Sequence, residues 1–141
     1  VIPHMKSRGE GRIINITAIG GKTPDAASVP SSVSRAAGIA LTKAMSKEYA
    51  SYNILVNTVC VGLIKAGQHR NDWESEMARS EQKDLTLDEW YAREAEDYAI
   101  PIGRYGESEE AGSLIAFLAS EKSSYITGAS INLDGGLSSV V

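Results

Sequence analysis

The side chains best suited to chemistry are Ser31 and Ser32, Lys65, His4, His69, Arg70 and Cys60. A serine becomes a nucleophile only with a general base in reach. No histidine stands near Ser31 in the sequence, and serines at the start of a helical pattern ordinarily cap it through their oxygens; capping is the expectation for Ser31 and Ser32. His4 and His69 read as isolated, without cysteine or acidic partners at the spacings of metal ligation, so no metal site is expected. Cys60 sits in an apolar run and reads as a small buried hydrophobe. One cysteine cannot form an internal disulfide, and its reduced state suits a cytoplasmic location.

These groups must be positioned by a small number of elements. "RIINIT" at 12–17 is a β-branched run without polar alternation, the mark of a parallel strand covered on both faces. Gly20, Gly21 and Pro24 then open a loop. From about 30 to 52, Val33, Ala37, Ala40, Leu41, Ala44, Met45 and Tyr49 recur at helical spacing. "NILVNTV" at 53–59 repeats the buried-strand composition and completes a βαβ unit. Residues 60 to 106 are more polar and less regular. Within them Thr86 and Glu89 form a capping box for a helix that buries Trp90, and Trp73, Tyr91 and Tyr98 read as packing residues beside it. The acidic turn "ESEE" starts another helix, and "ASINLDGG" ends the pattern in a short strand and a glycine turn. The first strand has no neighbour for one edge, which calls for a cover outside these residues. "VIPHMKSRGEGR" at the start reads as the tail of a helix and a turn, as in a piece of a longer protein.

The 141 residues, 43% hydrophobic and 23% charged, suffice for one core. The net charge of -4 offers no basic field for nucleic acid. No apolar run is long enough to span a bilayer, so no membrane partner is expected.

"GRIINITA", the helix at 30 to 52, "NILVNTVCVG" and "PIGRYGESEEAGSLIAFLASEKSSYITGASINLDGG", in that order, resemble the short-chain dehydrogenase/reductase family, and in particular its 3-oxoacyl carrier-protein reductases. The resemblance implies an α/β fold: the carboxyl half of a Rossmann-like doubly wound parallel sheet, strands five to seven with flanking helices. Residues 1–141 would then be a partial single domain, with a helical substrate-loop insertion at about 63–105. The family's glycine-rich pyrophosphate turn belongs to the amino half; no G-x-G-x-x-G occurs here.

The same resemblance implies a set of site residues. The family holds the substrate oxygen with a serine after the fifth strand, donates a proton from a tyrosine in the next helix, and places a lysine four residues further on. Those positions fall on Ala18, Ser31 and Arg35. A phenol ordinarily titrates near ~10 and a nearby cation can lower it, whereas an aliphatic hydroxyl is a far weaker acid. Arg35 keeps a positive charge but replaces a compact ammonium with a planar fork. The family's P-G-x-I-x-T turn becomes "VGLIKA", leaving Arg35, Gly62, Leu63 and Ile64 as residual contacts to NAD or NADP, and Lys65, His69 and Arg70 at the start of the substrate loop. Oligomerisation, with a second copy or a homologue, is implied through the helix at about 30–52. The substituted positions favour a non-catalytic or scaffolding subunit. The alternative is an NAD(P)-dependent oxidoreductase for a carbonyl or alcohol, with its proton donor displaced to another residue.

Overall fold

A computed structural model describes residues 1–79 and 85–140. A short helix α1 (Ile2–Arg8) ends on Gly9, whose φ of 70° is the left-handed conformation that glycine adopts freely. Strand β1 (Gly11–Ala18) follows, then a 3-10 turn over Ile19–Gly21 and helix α2 (Val29–Tyr49). A further 3-10 turn, Ala50–Tyr52, leads through Asn53 into β2 (Ile54–Val61). Helices α3 (Gly67–Arg79) and α4 (Leu87–Asp97) come next, then α5 (Ser108–Ala119) and β3 (Ser130–Leu133).

The sheet is three-stranded, all parallel, in the order β1-β2-β3. The fold is therefore α/β with the expected strand sequence. Helices α2 and α5 both cover β1 and β2 without packing on each other, which puts them on opposite faces. Strand β2 is the centre: Ile54, Val56, Thr58, Val59 and Cys60 are fully buried. Asn57 belongs to this strand as a structural clamp, its amide nitrogen donating to Ile126 O at 2.8 Å and its amide oxygen accepting from Ala129 N at 3.0 Å.

The structure corrects several expectations. Strand β1 is less buried than its composition suggests: helices α2 and α5 pack on it, but it is the edge of this three-stranded sheet and is half-buried along most of its length, with Ile16 48% exposed. Helix α2 turns its hydroxyls inward and its large apolar side chains outward. Ser32, Thr42 and Ser46 are buried, whereas Val29, Val33 and Leu41 are exposed. The reason lies in the sheet face it covers, which is itself polar. Asn15 Nδ2 donates to Thr42 Oγ1 at 2.9 Å, Thr58 Oγ1 donates to Asn15 O at 2.9 Å, and Thr17 lies 3.2 Å from both Thr58 Oγ1 and Cys60 Sγ. Buried hydroxyls satisfy one another here, as burial requires. Nor do Ser31 and Ser32 cap the helix. The cap position is Ser28, whose hydroxyl donates to Asp25 O and lies 2.7 Å from Ser32 Oγ.

Helix α3 falls inside the helical insertion expected at about 63–105, although the residues there read as polar and less regular. Among its large apolar residues only Trp73 and Met77 fall on one face, too weak a periodic signal to announce it. It is tied to α4 by Glu76, which accepts from Trp90 Nε1 at 2.8 Å and pairs with Arg93 at 2.8 Å. Helix α4 begins at the Thr86–Glu89 capping box read from the sequence. Together these helices hold a second core of Trp90, Tyr91, Ala95, Ile100 and Tyr105.

Candidate active-site cleft

In open parallel sheets, ligands bind outside the carboxyl ends of the strands, because there the loops diverge and leave a crevice. This chain has a cleft of about 610 Å³ at that place, where Ala18 ends β1 and Val61 ends β2. Gly62 and Leu63 continue its wall, and Gly20, Thr23 and Asp25 of the loop after β1 line it together with Tyr98 and Leu137. The loop approaches α2 closely: a Cβ on Gly21 would stand 2.8 Å from Arg35 C and 2.9 Å from Ala36 N. Only glycine fits there.

Of the residues singled out in the sequence, Ala18, Gly62 and Leu63 come together in this cleft. The others do not. Ser31 and Arg35 are exposed on the early turns of α2, outside the cleft lining. Ile64 forms a parallel bridge to Gly106, in which Gly106 N donates to Leu63 O at 3.0 Å and Lys65 N donates to Gly106 O at 2.8 Å. Since extended backbone alternates its polar groups, the N–H and C=O of Ile64 itself point away from Gly106. No described backbone group pairs with either.

Lys65 is half-buried and structural. Its ammonium is 2.7 Å from Glu107 and 5.5 Å from the Tyr91 ring centre, and the Glu107 carboxylate raises its pKa. His69 is not isolated as expected, because Asp72 one turn later lies 3.7 Å from its Nδ1, and its ring meets Tyr105 edge-on at 5.2 Å. Even so, no group of three metal-ligating side chains occurs among the described residues. Arg70 is exposed on α3, and His4 is exposed on α1.

Sequence reasoning missed Tyr98. It reads as a packing residue beside Trp90, yet it caps α4 and stands 54% exposed. It is followed by Ala99 at φ 49°, a strained conformation for alanine. Tyr98 and Leu63 line both the Ala18 cleft and a second cavity of about 440 Å³ that holds His69, Asp72, Glu76 and Glu94. They therefore form the partition between the two. Tyr105, also on the second cavity, is buried, and burial pushes its phenol above the ordinary range.

Comparison with known proteins agrees with this architecture. The family model described as enoyl-(acyl carrier protein) reductase matches residues 1–138, and the chain belongs to the short-chain dehydrogenase/reductase family. It is 36% identical over 132 residues to acetoacetyl-CoA reductase of Rhizobium meliloti, covering 94% of this chain and 48% of that protein. It is 36% identical over 137 residues to 3-oxoacyl-(acyl-carrier-protein) reductase of Thermotoga maritima, covering 97% of this chain and 49% of that one. The chain thus spans about half the length of the curated relatives it matches. Among solved structures, the apo form of a Pseudomonas aeruginosa short chain oxidoreductase described as containing an atypical catalytic center superposes with a TM-score of 0.90 at 34% identity. That match covers 99% of this chain and 52% of the other. The NADPH-bound form of a Pseudomonas aeruginosa oxidoreductase described in the same way gives 0.87 at 32% identity, with 99% and 51% covered.

Proposed function

We propose that this chain is the carboxyl half of an NAD(P)-dependent reductase of a carbonyl substrate, with residues 63 to 105 lying over the substrate. The cleft that unites Ala18, Val61, Gly62 and Leu63 at the strand ends carries the reading. Its lining fits the nicotinamide end of a dinucleotide better than the phosphates. No lysine, arginine or histidine lines it among the described residues, and a pyrophosphate needs cations or a helix N-terminus. Just past Leu63, outside the cleft lining itself, the N–H and C=O of Ile64 have no partner among the described backbone groups and match the donor and acceptor that a carboxamide requires.

When bound, the cofactor supplies a hydride to the carbonyl carbon. The chain's own residues shape the pocket, exclude water and deliver a proton. On this reading Ala18, Ser31 and Arg35 occupy the positions of the family's serine, tyrosine and lysine, so the proton comes from elsewhere. That two similar solved structures are described as having an atypical catalytic center supports an active protein with substituted positions. Its substrate class, by likeness to the relatives named above, is a 3-oxoacyl thioester.

A second reading keeps the fold for assembly alone. The exposed Val29, Val33 and Leu41 on α2 favour it, since such a stripe suits a second copy or a homologue. Turnover separates the two. The full-length protein is expected to oxidise NADPH or NADH in the presence of acetoacetyl-CoA and of simple 3-oxoesters, whereas no turnover with any of them favours the scaffold.

A further inference from the structure

We propose that Tyr98 is the displaced proton donor of this cleft, a deduction that rests on the reductase reading above. The first observation is placement. Among the described residues, Tyr98 is the only tyrosine lining the cleft that contains Ala18, the position implied to face the substrate oxygen. Tyr91 and Tyr105 are buried in the second core and do not reach it.

The second is chemistry. The other proton-bearing side chains on the lining are Thr23, Ser139 and Asp25. Thr23 already donates to Ile19 O at 3.2 Å, and aliphatic hydroxyls are far weaker acids than a phenol. An ionised carboxylate only accepts. No described residue hydrogen-bonds the Tyr98 hydroxyl, which stands at the rim and is open to a ligand.

The third is backbone. Tyr98 is held at its place by its N–H bond to Glu94 O at 2.9 Å and is followed at once by Ala99 with positive φ. A non-glycine residue held in that region is strained, and such strain clusters at active sites and ligand clamps. The chain direction set there carries Ile100 into the second core while leaving Tyr98 on the cleft.

The step balances simply. As the hydride from the reduced nicotinamide forms a C–H bond, the carbonyl π pair moves to oxygen and takes the proton of the Tyr98 O–H. The products are an alcohol, the oxidised cofactor and a phenolate. The phenolate regains a proton from water through the second cavity, which His69 also lines.

Nitration by tetranitromethane, mapped by mass spectrometry on the full-length protein, tests placement without relying on activity. Tyr125, which is fully exposed and does not line the cleft, is the internal control. We expect NADP⁺ or NAD⁺ to protect Tyr98 at least fivefold and leave Tyr125 unchanged. Equal nitration of Tyr98 with and without either cofactor would overturn the placement. Turnover of acetoacetyl-CoA then tests the role: Tyr98→Phe should lose about 10²- to 10⁴-fold in kcat with cofactor affinity kept. A Tyr98→Phe protein within threefold of the parent overturns the donor while leaving the reductase reading intact. A parent that turns over nothing overturns both.

Discussion

Ala18 and Tyr98 line one cleft, the first ending the edge strand β1 and the second capping α4 in a distant part of the chain. The pairing matters because Ala18 offers no hydrogen bond, whereas Tyr98 brings a phenol to the same space. A reductase needs a proton at the carbonyl oxygen as the hydride arrives, but the fold does not dictate which element supplies it. The helices between β2 and α5 supply the candidate here.

Gly62 is required by packing before any ligand is considered. A Cβ there would stand 2.7 Å from Asp134 Cβ and 2.8 Å from Asp134 Cα, neither of them the far end of a flexible side chain. Gly62→Ala is therefore expected to lower stability by ~1–3 kcal/mol in urea unfolding. Gly112→Ala is the contrast: its Cβ meets nothing within 4 Å inside α5, and the change should add ~0.5–1 kcal/mol. A neutral Gly62→Ala would contradict the close approach of β2 to the turn after β3.

Glu110 carries a pH signature. Arg104 bonds its carboxylate twice at 2.8 Å, and the Glu107 N–H adds a third bond, so its pKa falls from 4.5 to about 2. A depressed folded-state value means the ionised form favours the fold. That contribution is complete above about 4.5 and is lost as pH falls toward about 2. Carbon-detected NMR titration should give a Glu110 midpoint near 2 in the parent and a value closer to 4.5 in Arg104→Gln. An unmoved midpoint would remove Arg104 as the main cause. The pair is exposed, so its effect on global stability should be small.

The outward apolar stripe of α2 predicts self-association. Val33→Glu with Leu41→Glu in the full-length protein should shift the mass measured by light scattering toward the monomer, because burying unpaired carboxylates is costly. An unchanged mass would mean that another surface joins the subunits.

Much of the fold is legible in the residues. β-branched runs mark β1 and β2, and the Thr86–Glu89 pair marks the start of α4, because these signals are local. Helix α3 is not legible, since Trp73 and Met77 alone carry its periodicity. The orientation of α2 is obscured for another reason. Apolar spacing says that a helix forms but not which side faces the sheet, and a sheet face built from Asn15, Thr17 and Thr58 selects the hydroxyl side. For the site, Ala18, Gly62 and Leu63 are legible through the family resemblance, whose motifs fall at or just past the ends of β1 and β2. Tyr98 is not, because its position depends on the turn at Ala99 and on packing between helices distant in sequence from Ala18.

Calorimetric titration of the full-length protein with NADPH and NADH tests most directly whether the cleft at the carboxyl ends of β1 and β2 receives a nicotinamide dinucleotide. Saturable binding of at least one, weakened at least tenfold by Leu63→Asp at the cleft wall, is the predicted result. No heat from either at millimolar concentration, in protein shown to be folded, would contradict it.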